Sequence, residues 1–281
     1  MKIIDINEKE YPKVLRKIEN PPKKLYVEGD EKILNSNCIA VVGSRKNTKY
    51  GEKWCKKFVK ELVKYDLKIV SGMALGIDLI AHKEAIKEGE KTIAVLPSGL
   101  KNIYPKENIK LYEEIISNGG CVISEYEPYE EAEPKKFLER NRIVSGISIG
   151  CLVVEAAYRS GTSVTAKLAK DQKRDVFCIP GSLDNSKSIG TNKLIKDFAK
   201  LVTSPEDIIK NYKFLHKIEL KKPKEKEENE ILKLIKENPI NIDDIVKLSN
   251  KNIKEIISEI TILELDGKIE RLPGNMYIRG E

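Results

Sequence analysis

The chain has 281 residues, of which 40% are apolar, and a net charge of +7, an ordinary soluble composition on a length that suggests about two domains. No apolar run approaches the ~20 residues of a membrane helix, and the charged start Met1-Lys2-Ile3-Ile4-Asp5 is unlike a secretory signal; a cytoplasmic protein without membrane contact is expected. His82 and His216 are the only histidines, and Cys38, Cys55, Cys121, Cys151 and Cys178 include no Cys-x-x-Cys pair, which argues against a zinc site or a Ser-His-Asp triad and for reduced thiols with no metal or cofactor.

Residues 1–37 hold Tyr11-Pro12, a helical Val14-Leu15-Ile18 and the stretch from Asn20 to Gly29; they read as an arm packing on the core rather than as a domain. From residue 38 one pattern repeats: a short apolar run, a tight turn, then a segment with helical spacing. The runs are Cys38 to Val42, Leu67 to Gly72, Thr92 to Leu96, Cys121 to Ser124, Cys151 to Glu155 and Asp175 to Ile179. The helical segments include Tyr50 to Lys64, one ending at Lys87, Lys106 to Asn118 and Val164 to Lys173. Continuous apolar runs mark parallel strands buried on both faces. Their alternation with helices predicts an α/β fold, a doubly wound parallel sheet over residues 38–216. Ligands of such sheets sit at the carboxyl ends of the strands, and here those ends carry Gly, Ser, Arg, Thr and Glu.

Two segments draw attention. In Gly43-Ser44-Arg45 a glycine lets the backbone approach a ligand, the following helix start offers N–H groups to an anion, and Arg45 can grip a phosphate with paired hydrogen bonds. A plain strand-to-helix turn with a solvated arginine fits the same residues. In Pro134 to Gly146, the basic residues Lys135, Lys136, Arg140 and Arg142 surround one aromatic, Phe137. Cations neutralise a nucleic-acid backbone and an aromatic face stacks a base. Taken alone, Phe137 could equally be core and Arg140 could pair with Glu139 or Glu133.

Residues 217–229 are charged, contain Pro223 and read as a linker. Residues 230–281 follow with helical patterns at Glu230 to Glu237, Asn241 to Leu248 and Ile253 to Leu265, then a hairpin of Lys268 to Leu272 and Met276 to Arg279. Three helices and a hairpin predict a winged helix-turn-helix, a module that often reads DNA. Residues 217–281 hold 13 Lys and Arg against 14 Asp and Glu, so the positive excess lies in residues 1–216. That distribution suits the sheet domain to nucleic acid or phosphorylated ligands. It leaves the tail free for DNA, protein contact or regulation.

The order Gly43-Ser44-Arg45, Ser71-Gly72-x-Ala74-x-Gly76-Ile77-Asp78, Pro97-x-Gly99 with Tyr104-Pro105, Ser124-Glu125, Phe137-x-x-Arg140-Asn141-Arg142-Ile143, Glu155-Ala156 with Ser160-Gly161-Thr162, Pro180-Gly181 and Gly190-Thr191-Asn192 resembles the DNA-processing protein A (DprA/Smf) family. The resemblance spans about Tyr11 to Tyr212, and the tail is similar to that family's optional winged-helix module. It implies an extended Rossmann-like domain that binds single-stranded DNA and, as a homodimer without enzymatic activity, loads the RecA recombinase onto incoming DNA in natural transformation. It also implies that Arg45 contacts phosphate, that Phe137 stacks on a base, and that Lys135 or Lys136 supports the phosphate. The expected single-stranded DNA site is Gly43, Ser44, Arg45, Lys135, Lys136, Phe137, Arg140, Asn141, Arg142, Ser160, Gly161 and Thr162. Some members carry an N-terminal sterile-alpha-motif-like domain, for which the arm before residue 38 leaves no room.

Two other functions fit parts of the pattern. Glu155 to Thr165 resembles, more weakly, nucleotide-phosphate hydrolases whose Gly-Gly-x-Gly-Thr loop binds phosphate near a catalytic glutamate. Arg45 would then hold a mononucleotide phosphate and Glu155 would help break a glycosidic bond. Here, however, the glycine-rich loop is incomplete and the glutamate precedes it. A module that senses a small nucleotide through the sheet and acts through the winged helix is the third possibility.

Overall fold

In the computed structural model, residues 1–218, 230–235, 238–249, 251–265 and 267–279 are described. The expected linker lies outside them from residue 219 onward, as do Asn250 and Asp266, which were expected in turns. The chain divides into two compact units, Met1–Pro223 and Lys224–Glu281.

In the first unit the elements are β1 (Lys2–Asp5), β2 (Lys24–Gly29), β3 (Cys38–Val42), α1 (Lys49–Leu62), β4 (Lys68–Ser71), α2 (Ile77–Lys87), β5 (Thr92–Val95), α3 (Ile109–Ser117), β6 (Cys121–Ser124) and α4 (Pro134–Gly146). They continue as β7 (Gly150–Val153), α5 (Gly161–Asp171), β8 (Asp175–Cys178), α6 (Ile189–Asp197), β9 (Lys200–Leu201) and α7 (Pro205–Ile209). The strands form one sheet in the order β1-β2-β6-β5-β4-β3-β7-β8-β9. From β6 to β9 every neighbouring pair is parallel.

The order runs outward from β3 to β6, then returns to place β7 on the other side of β3. α4 makes that return. The carboxyl ends of β3 and β7 are therefore the switch point where such sheets take ligands. Successive strand residues alternate between two cores. Ala40, Val42, Cys151 and Val153 face a layer with Ile143 and Val144 of α4 and Ala166 and Ala169 of α5. Ile39, Val41 and Leu152 face Phe58, Val59 and Leu62 of α1 and Ala81 of α2. Burial on both sides is why each strand is a continuous apolar run.

The arm does more than pack. Tyr11, Leu15 and Leu34 are wholly buried, and the Tyr11 hydroxyl donates to Pro22 O at 2.7 Å. In addition, β2 pairs antiparallel with β6, and β1 with β2. The sheet is thus mixed at one edge, where the sequence pattern predicted parallel strands alone. A common antiparallel edge on a parallel sheet accounts for it.

The second unit contains α8 (Glu230–Leu234), β10 (Ile240–Asn241), α9 (Ile242–Leu248), α10 (Ile253–Leu265), β11 (Ile269–Leu272) and β12 (Met276–Arg279). Its three-stranded sheet has the order β10-β12-β11. Ile231, Ile245, Ile256, Ile260, Leu263, Ile269 and Tyr277 form its core. This is a winged helix with one more short strand, β10, than the sequence pattern indicated.

All five cysteines are buried and unbridged. Burial pushes the thiols of Cys38 and Cys151 up to about 12 and also raises those of Cys55, Cys121 and Cys178. Only the thiolate attacks disulfides. All five should therefore resist Ellman's reagent in native buffer and react together in concentrated urea. Rapid reaction of one thiol in the folded protein would contradict this packing.

Candidate nucleic-acid interface

The site begins where β3 ends. A Cβ on Gly43 would lie 2.5 Å from the Ile77 side chain, too close for any other residue without movement. Opposite it, Gly76 has φ +81° and a Cβ there would meet Ser44 O at 2.3 Å. Glycine adopts such left-handed geometry without steric cost. With Ile77 N–H donating to Ser44 O at 3.2 Å, the turns after β3 and β4 interlock.

The start of α1 is not an open anion site. Thr48 caps it by accepting from Gly51 N–H at 3.1 Å. The buried Glu155 carboxylate accepts from Thr48 N–H at 3.0 Å and from the Thr48 hydroxyl. The expected anion is the protein's own glutamate. Glu155 is 1% exposed, and the cleft described below is lined without it.

The start of α5 does face that cleft. Ser160 Oγ caps it by accepting from Ser163 N–H at 3.3 Å. Thr162 Oγ1 donates to Gly43 O at 3.0 Å, which ties this helix start to the first turn. Between the two lies a cleft of about 670 Å³, lined by Gly43, Ser44, Arg45, Gly72, Ala74, Asp78, Tyr104, Phe137, Leu138, Arg140, Asn141, Ser160, Gly161 and Thr162 among others.

α4 crosses the ends of the strands, and Arg140 holds it there. The Arg140 side chain is buried, and its Nη1 donates to Gly72 O at 2.7 Å and to Val95 O. Burial pulls its pKa down to about 10, opposed by the nearby Asp78 carboxylate and assisted by Arg45. Burial raises the pKa of Asp78 against the pull of Arg140; its carboxylate accepts from Gly72 N–H at 3.1 Å. One turn earlier, the half-buried Phe137 faces the cleft. Arg45 Cζ lies 4.9 Å from its ring centroid. The Tyr104 ring meets it edge-on at 5.5 Å and 81°. Guanidinium over an aromatic face is an attractive arrangement.

The structure brings Gly43, Ser44, Arg45, Phe137, Arg140, Asn141, Ser160, Gly161 and Thr162 to one cleft. It does not bring Lys135, Lys136 or Arg142 into the lining. Lys136 Nζ lies 3.1 Å from Glu130 and 2.9 Å from Glu133 and donates to Glu131 O. Arg142 makes a bidentate pair with Glu125 at 2.7 and 2.6 Å. Lys135 is 85% exposed and, among the described residues, pairs with Glu139 at 3.2 Å. Tyr104 and Asp78 line the cleft although sequence reasoning gave them no role. Their signal was present, in Tyr104-Pro105 and Gly76-Ile77-Asp78.

A Rossmann-like sheet with its cleft at the switch point, joined to a winged helix, defines a two-module protein with a ligand cleft on the larger module. Comparison with known proteins gives the family. Residues 2–213 match the model of DNA recombination-mediator protein A, and residues 219–275 match the DprA winged helix domain. The chain is 38% identical over 280 residues to protein Smf of Escherichia coli K12, covering 96% of this chain and 75% of that protein. It is 43% identical over 204 residues to DNA processing protein DprA of Streptococcus pneumoniae R6, covering 73% and 72%. The X-ray structure of the S. pneumoniae DNA processing protein A superposes with a TM-score of 0.72 at 41% identity, over 76% of this chain and 75% of that one. A Helicobacter pylori DNA processing protein A structure, reported for its single-stranded DNA binding mode, gives 0.68 at 34% identity, over 75% and 95%. The chain belongs to the DNA recombination-mediator protein A family.

The burial of Arg140 separates it from Arg45 experimentally. Arg140→Met should lower the unfolding free energy by on the order of 3 kcal/mol, because it strands buried partners. Arg45→Ala on the exposed rim should cost less than about 1 kcal/mol. Urea unfolding of the two variants checks this; equal stabilities would mean that Arg140 does not anchor α4.

Proposed function

We propose that this protein is a single-stranded DNA-binding recombination mediator whose binding site is the cleft at the carboxyl ends of β3, β4 and β7. The observation that carries the proposal is the exposed Arg45 guanidinium set over the Phe137 ring at the switch point. An arginine suits a backbone phosphate and an aromatic face suits an unpaired base. The start of α5, with Gly161 and Thr162, adds N–H groups of the polarity an anion needs. Gly43, Ser44, Asn141 and Ser160 shape the remaining wall. Lys135 is the basic residue on this helix with the fewest internal commitments and supports the backbone outside the cleft. Lys136, Arg140 and Arg142 hold the scaffold instead of the strand. The names of the relatives support the same class of function.

In this account the protein acts as a cytoplasmic homodimer, protects incoming single strands in natural transformation and loads RecA onto them, without catalysing a reaction. The chemistry of the cleft agrees with binding rather than bond breaking. The glutamate that a nucleotide hydrolase would need, Glu155, is sealed against Thr48. A nucleotide-sensing module would use the same cleft, but an aromatic ring beside an exposed arginine favours a strand.

Fluorescence anisotropy of the full chain on oligo-dT and on a hairpin duplex tests the proposal. Phe137→Ala should lose about 1–3 kcal/mol of single-strand affinity with little change in melting temperature. Arg45→Ala should weaken binding whatever the sequence and reduce the salt slope by about 0.7 for the lost phosphate contact. Binding the duplex as tightly as oligo-dT, or releasing base from nucleoside monophosphates, would contradict it.

A further inference from the structure

Two residues of the loop between β7 and α5 stand beside the cleft without a part in it. Ala157 and Ser160 line the cleft, so Tyr158 and Arg159 between them lie at its rim. Tyr158 is 53% exposed. The Arg159 Cζ sits 5.2 Å from the Tyr158 ring centroid, the same arginine-on-aromatic arrangement as Arg45 on Phe137.

The loop is firmly held. Ala156 N–H donates to Lys187 O at 2.8 Å, and Gly190 N–H donates to Ala156 O at 2.8 Å. On its other side Ser160 caps α5 and Thr162 binds Gly43 O. Arg159 itself has φ +52°, a left-handed conformation that residues with a side chain seldom adopt. Such conformations persist where surrounding structure enforces them, and they gather at ligand sites. An exposed tyrosine has no core to fill. On a fixed loop it presents a pre-ordered apolar face, which lowers the ordering cost of a contact.

We propose that Tyr158 is a second stacking platform, taking a neighbouring base of the strand whose other base lies on Phe137. The proposal rests on the single-stranded DNA function of the cleft. The phosphate between the two bases would lie at the start of α5. There, among the described residues, no protein acceptor takes the N–H groups of Gly161 and Thr162. Every base has a π-face, so this platform extends the site without adding sequence preference.

The test uses the full chain with oligo-dT of about three nucleotides, below the usual single-strand site size, and of about twelve. Tyr158→Ala should weaken binding of both oligonucleotides roughly 5- to 100-fold, since even about three nucleotides span both rings, whereas Tyr158→Phe should stay within about twofold of wild type. Phe137→Ala should weaken both. Photo-crosslinking with 5-iododeoxyuridine should label Tyr158. If wild type binds and Phe137→Ala weakens it while Tyr158→Ala and the crosslink map show nothing, the second platform is overturned and the cleft stands. If wild type binds neither oligonucleotide, both fall together. A loss with Tyr158→Phe as large as with Tyr158→Ala would assign the effect to the hydroxyl and overturn stacking.

Discussion

The site depends on one buried cation. Arg140 reaches from α4 to the carbonyl groups of Gly72 and Val95, at the ends of β4 and β5. A guanidinium taken out of water must find several acceptors or lose several kcal/mol of hydration, so this contact admits few alternative helix positions. With Arg140 seated, Phe137 falls one turn closer to the start of α4, above the strand ends. Asn141 falls beside Gly161, whose carbonyl accepts from its Nδ2 at 3.5 Å. The Arg142–Glu125 pair adds a second tie between α4 and the residue after β6. Remove these ties and the aromatic ring has no defined place over the cleft.

The two helix starts at the switch point are treated differently. One, at α1, is neutralised internally by Glu155, and its polarity is spent on folding. The other, at α5, is capped by Ser160 and faces the cleft. Thr162 joins the two regions by donating to Gly43 O. The positive excess of the first 216 residues favours an anionic partner at long range, and in the proposed account the Phe137 ring supplies the short-range preference for an unpaired base.

Much of this was legible in the sequence, for identifiable reasons. The buried parallel strands were readable to within a residue or two because burial on both faces writes an uninterrupted apolar run. Strand β9, two exposed residues, writes no such run, and β1 and β2 were hidden because an arm with prolines gives little period to read. Arg45 and Phe137 stood out by type and turn context. What a single sequence could not supply was the choice of partners. Glu133 and Glu139 lie within a turn or two of Arg140 and were its apparent mates, yet its acceptors are 68 and 45 residues away. The same long-range choice sends Glu155 to Thr48, 107 residues distant, and turns a candidate catalytic glutamate into a support for the Thr48 helix cap. Lys136 is the reverse case: its partners Glu130 and Glu133 are local, and they occupy a side chain that composition had marked for phosphate.

The most direct measurement is amide hydrogen exchange of the full chain with and without oligo-dT. A strand lying in the cleft should slow exchange at residues 43–48, at 72–78 and at both the start of α4 and the start of α5. It should leave residues 230–279 unchanged. Protection confined to the winged-helix residues, with the cleft exchanging as in the free protein, would contradict the placement of the DNA site on the sheet.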